Sequence, residues 1–250
     1  MALVVGEEYR KSAYFPRGAA IASGDRIGAA PLRVGIVNIM PKAETYERYP
    51  LAAMARSSVV VEPIFLRLRE HRSKSSDAEH IDRFYRYFDE AASDKGFDAL
   101  IVTGAPVEEI DFEDVRYWRE LSGIFDWARR EAFSTLGVCW AAMAQAYLAG
   151  VEKVVYPTKL FGVFESERLD ERHPIMAGES DRFRCPQSRH AGFDPATFER
   201  AVSEGGIITL AVSSEAGPTI FESADGKFLS HIGHPEYEPE RLVEEYYRDK

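Results

Sequence analysis

The chain has 250 residues, 45% hydrophobic and 29% charged, and its 31 Lys+Arg against 41 Asp+Glu leave a formal net charge of −10. The length fits one large domain, or one domain with a small appendage, and the apolar content is enough for a sizeable core, which excludes wholesale disorder. The acidity argues against nucleic acid or an anionic membrane surface as partners. Two cysteines, Cys139 and Cys185, and no C-x-x-C pair make neither a disulfide framework nor a zinc site. No run of 18 apolar residues and no basic-then-apolar leader is visible, so the expected location is the cytoplasm, with reduced thiols.

In chain order, residues 1–30 carry several glycines, mixed charges and Pro16, and read as an irregular N-terminal arm. A single α/β domain is expected over residues 31–250. Its first strand is residues 32–39, a β-branched run closed by Met40-Pro41-Lys42. Residues 59–66 form a second such run. Ser76-Asp77-Ala78-Glu79 reads as a capping box, and Ile81, Phe84, Tyr85 and Phe88 behind it share one helical face. Residues 97–103 make a third strand, closed by Gly104-Ala105-Pro106. A helix over 114–131 carries Val115, Trp118, Phe125 and Ala128 near one stripe. A fourth strand at 134–138 precedes a small-residue helix over 141–148 that ends at Gly150. This strand–helix alternation predicts an open, mostly parallel sheet with flanking helices. Residues 160–167, 207–213, 219–223 and 228–232 read as additional antiparallel strands, and a last helix starts near Pro239.

Cys139 falls at the join between a strand and a helix. That is a nucleophile-elbow position, and a helix N-terminus favours a thiolate. A buried apolar thiol is the bland alternative for so frequently buried a residue type. A thiolate nucleophile needs a base and a group to orient it. His234 and Glu236, in Gly233-His234-Pro235-Glu236-Tyr237, are two residues apart and face one side of an extended backbone. At the end of the third strand, Thr103-Gly104-Ala105-Pro106 can point a backbone N–H at a developing oxyanion.

Together with Val138-Cys139-Trp140-Ala141 and Pro186-Gln187-Ser188-Arg189, these motifs resemble the homoserine O-succinyltransferase (MetA-type) family of methionine biosynthesis. That family is built on the class I glutamine amidotransferase fold. Asn38-Ile39-Met40-Pro41-Lys42, Val115-Arg116-Tyr117-Trp118 and Glu245-Tyr246-Tyr247-Arg248-Asp249 match as well, and the likeness covers about residues 31 to 250. A plain glutaminase usually has G-x-C-x-G, whereas here Ala141 takes the last place.

The resemblance implies an O-acyltransferase with a ping-pong mechanism. Cys139 carries the acyl group, His234 is the general base and Glu236 orients it. The N–H groups of Ala105 and Trp140 form the oxyanion hole. Lys159, Ser188 and Arg248 match substrate-binding positions, and an arginine fork suits a carboxylate. Arg189 and Cys185 read as structural. Glu108 matches a donor-selecting position, where glutamate goes with acetyl-CoA and glycine with succinyl-CoA, because a carboxylate there repels a succinyl tail. The expected donor is therefore acetyl-CoA as co-substrate, with no bound cofactor and no metal. The expected acceptor is L-homoserine. Succinyl-CoA as donor, serine or another hydroxy-amino acid as acceptor, and a glutaminase activity are the alternatives. The fold commonly forms homodimers. The family runs on past the Y-x-R-D motif, so its C-terminal tail is expected to be absent from a chain ending at Lys250.

Overall fold

A computed structural model describes residues 3–22 and 30–248 of the chain. They form two compact units, Met1–Thr103 with Glu113–Thr135, and Gly104–Phe112 with Leu136–Lys250.

The first unit opens with a short helix, α1 (Glu7–Arg10). It then alternates β1 (Leu32–Val37), α2 (Ala43–Tyr46), α3 (Arg48–Met54), β2 (Val61–Arg67), α4 (Ala78–Phe84), β3 (Arg86–Tyr87), α5 (Phe88–Asp94), β4 (Ala99–Val102) and α6 (Trp118–Glu131). Its strands run parallel in the order β3-β2-β1-β4. Burial explains the nearly continuous apolar character of β1 and β4, since a parallel strand covered on both faces has no solvated side. Gly35 lies mid-β1 because a Cβ there would stand 2.6 Å from Leu100 Cδ2 and 2.8 Å from Leu66 Cδ1.

One expectation gains a detail and three need correction. The described part of the N-terminal arm has little regular structure, but it is packed: Leu3 is fully buried and bridges to Val61 and Ile21, and Tyr9 joins the same core. The cap of α4 is Asp77, whose carboxylate accepts from Glu79 N and His80 N, while Ser76 Oγ accepts from Ala43 N. The expected single helical face through Phe88 breaks at Tyr85. That residue is extended, its ring stacks on Phe65 at 5.3 Å and its hydroxyl accepts from Asn38, so tertiary contacts override local propensity. The helix expected from residue 114 begins at Trp118, after a 3₁₀ turn at Phe112–Asp114.

The second unit contains most of β5 (Ser134–Val138), then α7 (Trp140–Leu148), β6 (Lys153–Arg168), β7 (Arg182–Phe193), α8 (Pro195–Ser203), β8 (Ile207–Ser213), β9 (Gly217–Ser223), β10 (Phe228–His231) and α9 (Pro239–Arg248). Its strand order is β5-β10-β9-β8-β6-β7, and the β10-β9-β8-β6-β7 run is antiparallel throughout. The sheet class is the expected one, parallel strands with helices and then antiparallel strands. β6 is longer than expected, and β7 was not foreseen. Cys185, expected in a loop, therefore sits within a strand opposite Phe164. α8 was also missed, although Asp194 capping Thr197 N at 2.8 Å with Pro195 just inside is a legible start signal. Ala146, Val151, Phe198, Ala201, Ile207 and Phe221 form a buried cluster of this unit. Among the described residues no helix is long and apolar enough to cross a membrane, and no group of His, Cys, Asp and Glu is arranged to hold a metal.

Candidate active site

Cys139 stands between β5 and α7 with φ 53 and ψ −112, one of two described non-glycine residues with positive φ. A non-glycine residue in that region stores strain that its surroundings must hold. Here the turn is held at one end by Cys139 N donating to His231 O at 2.9 Å, and at the other by Met143 N donating to Cys139 O. The tight join also needs small neighbours. A Cβ on Gly137 would lie 2.5 Å from Gln145 Oε1 and 3.0 Å from the Ala141 backbone. A Cβ on Gly104 would meet Cys139 Cβ at 3.2 Å. The second contact brings the Gly104-Ala105-Pro106 turn against the thiol. Ala105 follows Gly104, Trp140 is the first residue of α7 directly after Cys139, and both are buried.

His234 follows β10 and is buried. Its main-chain N–H donates to Pro186 O at 2.9 Å, which ties it to β7. Its Nδ1 lies 2.8 Å from Glu236 Oε1, and its side chain also hydrogen-bonds Cys139. With Nδ1 on the carboxylate, the other ring nitrogen is the one left for the thiol. Burial works against the charged ring. The negative charge of Cys139 and of Glu236 outweighs it and raises His234 well above the ordinary imidazole range. Cys139 and the His234–Glu236 pair, picked from two separate motifs, thus form one continuous thiol–imidazole–carboxylate set.

Lys159, Ser188 and Arg248 converge elsewhere in this unit, on a residue not singled out beforehand. Glu245 of α9 is buried, and its carboxylate accepts from Ser188 Oγ in a short hydrogen bond and from Tyr237 OH at 2.8 Å. Lys159 Nζ is 3.8 Å away, Arg241 Nη2 3.0 Å and Arg248 Nη1 3.5 Å. Burial would raise the Glu245 pKa, but these donors and cations outweigh it and lower it. The missed signal was periodicity: Arg241 and Glu245 are four apart on one helix, and Glu245 lay inside a motif already noted. Tyr237, in the His234 motif, was likewise overlooked. Its ring stacks on the imidazole with centroids 4.2 Å and planes 18° apart.

Glu108 accepts a hydrogen bond from His190 N of β7 at 3.3 Å, so its carboxylate is fixed two residues from Ser188. Arg189 is buried and donates to Gln187, Tyr156, Ala191 O and Ala216 O, a structural role. Cys185 is buried too, and burial pushes its thiol up to about 12, which removes it as a nucleophile near neutral pH.

A cysteine on a strained strand–helix turn, beside His and Glu in an α/β sheet protein, is the arrangement of the glutamine amidotransferase-like fold. Solved structures agree on the fold. A glutamine amidotransferase from Thermotoga maritima superposes with a TM-score of 0.59 at 14% identity, covering 88% of this chain and 84% of that one. A putative GMP synthase protein from Thermoplasma acidophilum gives 0.58 at 14%, covering 88% and 98%. Within that fold the sequence is specific: the chain belongs to the homoserine O-succinyltransferase family, whose model matches residues 18–250. Among its relatives are the homoserine O-acetyltransferases of Petrotoga mobilis, 40% identical, and of Lachnoclostridium phytofermentans, 37% identical. Each aligns over 88% of this chain, and over 70% and 72% of its own length respectively.

Proposed function

We propose that this acyltransferase moves an acetyl group from acetyl-CoA to the side-chain hydroxyl of L-homoserine through an acyl-cysteine. The observation that carries the reading is the strained Cys139 hydrogen-bonded to a His234 that is itself held by Glu236. The Cys139 thiolate attacks the thioester carbonyl. The oxyanion that develops is stabilised by the N–H groups of Ala105 and Trp140. The intermediate collapses, the C–S bond to CoA breaks, and His234 gives its proton to the departing CoA sulfur. His234 then takes the proton of the homoserine hydroxyl, whose oxygen attacks the acyl-cysteine. Breaking the second C–S bond returns the Cys139 thiolate and the imidazolium. Glu236 keeps the imidazole in the required tautomer throughout. Drawn this way, the reaction uses no metal and no prosthetic group, and both substrates are small molecules.

The relatives named homoserine O-acetyltransferase support both donor and acceptor. Glu108 supports acetyl over succinyl. A carboxylate fixed by the His190 N–H fills the space where a succinyl tail would end, and repels its charge. Arg248 suits the acceptor carboxylate, because its side chain is 56% exposed and presents a planar fork. Lys159 and Ser188 would line the same subsite. The reading places the enzyme in methionine biosynthesis in the cytoplasm.

Steady-state rates with acetyl-CoA and succinyl-CoA, each against homoserine and serine, test the assignment. Acetyl-CoA with homoserine is expected to give the highest kcat/KM. A preference for succinyl-CoA or serine overturns the donor or acceptor assignment, and ammonia release from glutamine overturns acyl transfer itself.

A further inference from the structure

The base is constrained from two directions. Glu236 grips one edge of the His234 ring through Nδ1. Tyr237 covers its face, brought back over the imidazole by a turn in which Tyr237 N donates to His234 O at 3.1 Å. The tyrosine ring has the Arg241 guanidinium 5.7 Å from its centroid. It also lines a cavity of about 490 Å³, together with Phe183, Cys185, Pro186, His231 and Leu242, into which an untethered ring could tip. What tethers it is the 2.8 Å hydrogen bond from its hydroxyl to Glu245, the carboxylate on which Lys159, Ser188, Arg241 and Arg248 also converge.

We propose that Tyr237, anchored by Glu245, is a positioning residue that sets the plane of the His234 ring and couples it to the acceptor-binding side chains. The coupling rests on the function proposed above; the positioning of the base does not. When an acceptor carboxylate engages Arg248, that cation shares its charge between the acceptor and Glu245. Glu245 is then freer to hold the Tyr237 hydroxyl, and the ring is fixed against the imidazole at the moment it must accept the hydroxyl proton. Tyr237 touches no reacting atom in this scheme.

Two variants separate the parts. Tyr237→Leu removes the stacked ring, whereas Tyr237→Phe keeps the ring and removes only the tether. The first readout is the rate of Cys139 alkylation by iodoacetamide against pH, located by peptide mapping, which needs neither acyl donor nor acceptor. Tyr237→Leu is expected to slow alkylation at neutral pH about tenfold and to shift its pH profile, because the imidazole no longer sits squarely on the thiol. Tyr237→Phe is expected to slow alkylation less than threefold yet to raise KM for homoserine about tenfold, with the smaller change in kcat. A role confined to stability would lower the melting temperature and leave the alkylation pH profile of the folded protein unmoved, and that result overturns the proposal. A homoserine KM left at the wild-type value in Tyr237→Phe while Tyr237→Leu raises it overturns the tether. Should Tyr237→Leu not fold, an unchanged homoserine KM in Tyr237→Phe overturns the coupling. A chain that transfers acyl groups from no donor, yet alkylates slowly as Tyr237→Leu, keeps the positioning role and loses the function assigned to the site.

Discussion

Two largely buried histidine–carboxylate pairs among the described residues, one in each unit, differ in what else they touch. In the first unit His80 Nε2 sits 2.9 and 3.1 Å from the two oxygens of Glu47. Glu47 is fully buried and also accepts from Tyr9 OH at 2.5 Å, while Tyr14 and Phe84 rings enclose the imidazole at 4.7 and 4.8 Å. In the second unit His234 meets Glu236 at 2.8 Å, a nearly identical contact. The difference lies in what else each imidazole touches. His80 is walled by aromatic rings, so its pair closes on itself. His234 spends its other nitrogen on a thiol that a strained backbone holds at the head of a helix. A buried His–Glu contact by itself therefore marks no active site; what sets the second pair apart is the thiol beside it and the strained backbone beneath that thiol.

That contrast can be broken by mutation. The largest effect is expected at His234→Gln: acyl transfer falls by about 10² to 10⁴, the usual range for a general base, with a small change in melting temperature. Steady-state kinetics beside a thermal melt checks it, and a loss of stability with activity per folded molecule retained would make the second pair structural as well. Glu47→Gln is expected to do the reverse. Removing one member of a buried pair costs about 3–5 kcal/mol, so denaturant unfolding shifts strongly, while kcat/KM per folded molecule stays near wild type.

The smallest effect is on pH dependence, and it sharpens the comparison within a few residues of chain. His231 and His234 are three apart and shifted in opposite directions. Burial pushes His231 down to about 4, so its neutral form is the one the fold favours. Its contribution is intact above about pH 6.5, the unfolded value, and is lost as pH falls towards 4. His234 is raised by its anionic neighbours, so its contribution is fully present below about pH 6.5 and is lost as pH rises through the raised value. An NMR titration of the imidazole resonances is expected to find His231 neutral and His234 charged at pH 7. The same charge state on both would contradict the account.

The grouping of Cys139, His234 and Glu236 was legible because these residue types sit where chain-local rules put them: a cysteine after a short strand, and Gly-His-Pro-Glu after another. The strands that end at those motifs, Ser134–Val138 and Phe228–His231, were recognisable as a short apolar run and as a run following the Ala224-Asp225-Gly226 turn. β7 was not, because Gln187 and Arg189 stand on the face that Phe183, Cys185, Ala191 and Phe193 share and break its apolar alternation, and Pro186 falls mid-run. It is held by its long pairing with β6, a contact with no local signature. Tyr85 escaped for the same reason, its backbone being set by Phe65 and Asn38 and not by its helical neighbours. Glu245 lay in a recognised motif, yet its role depends on residues 57 and 86 positions away, Ser188 and Lys159, which spacing cannot reveal.

The central claim is that Cys139 carries the acyl group. Intact-protein mass after mixing with acetyl-CoA alone, in the absence of any acceptor, tests it most directly. The account predicts a gain of one acetyl group, mapped to Cys139, that disappears when homoserine is added. An unchanged mass in enzyme that turns over with both substrates, or acetyl found on another residue, would contradict it.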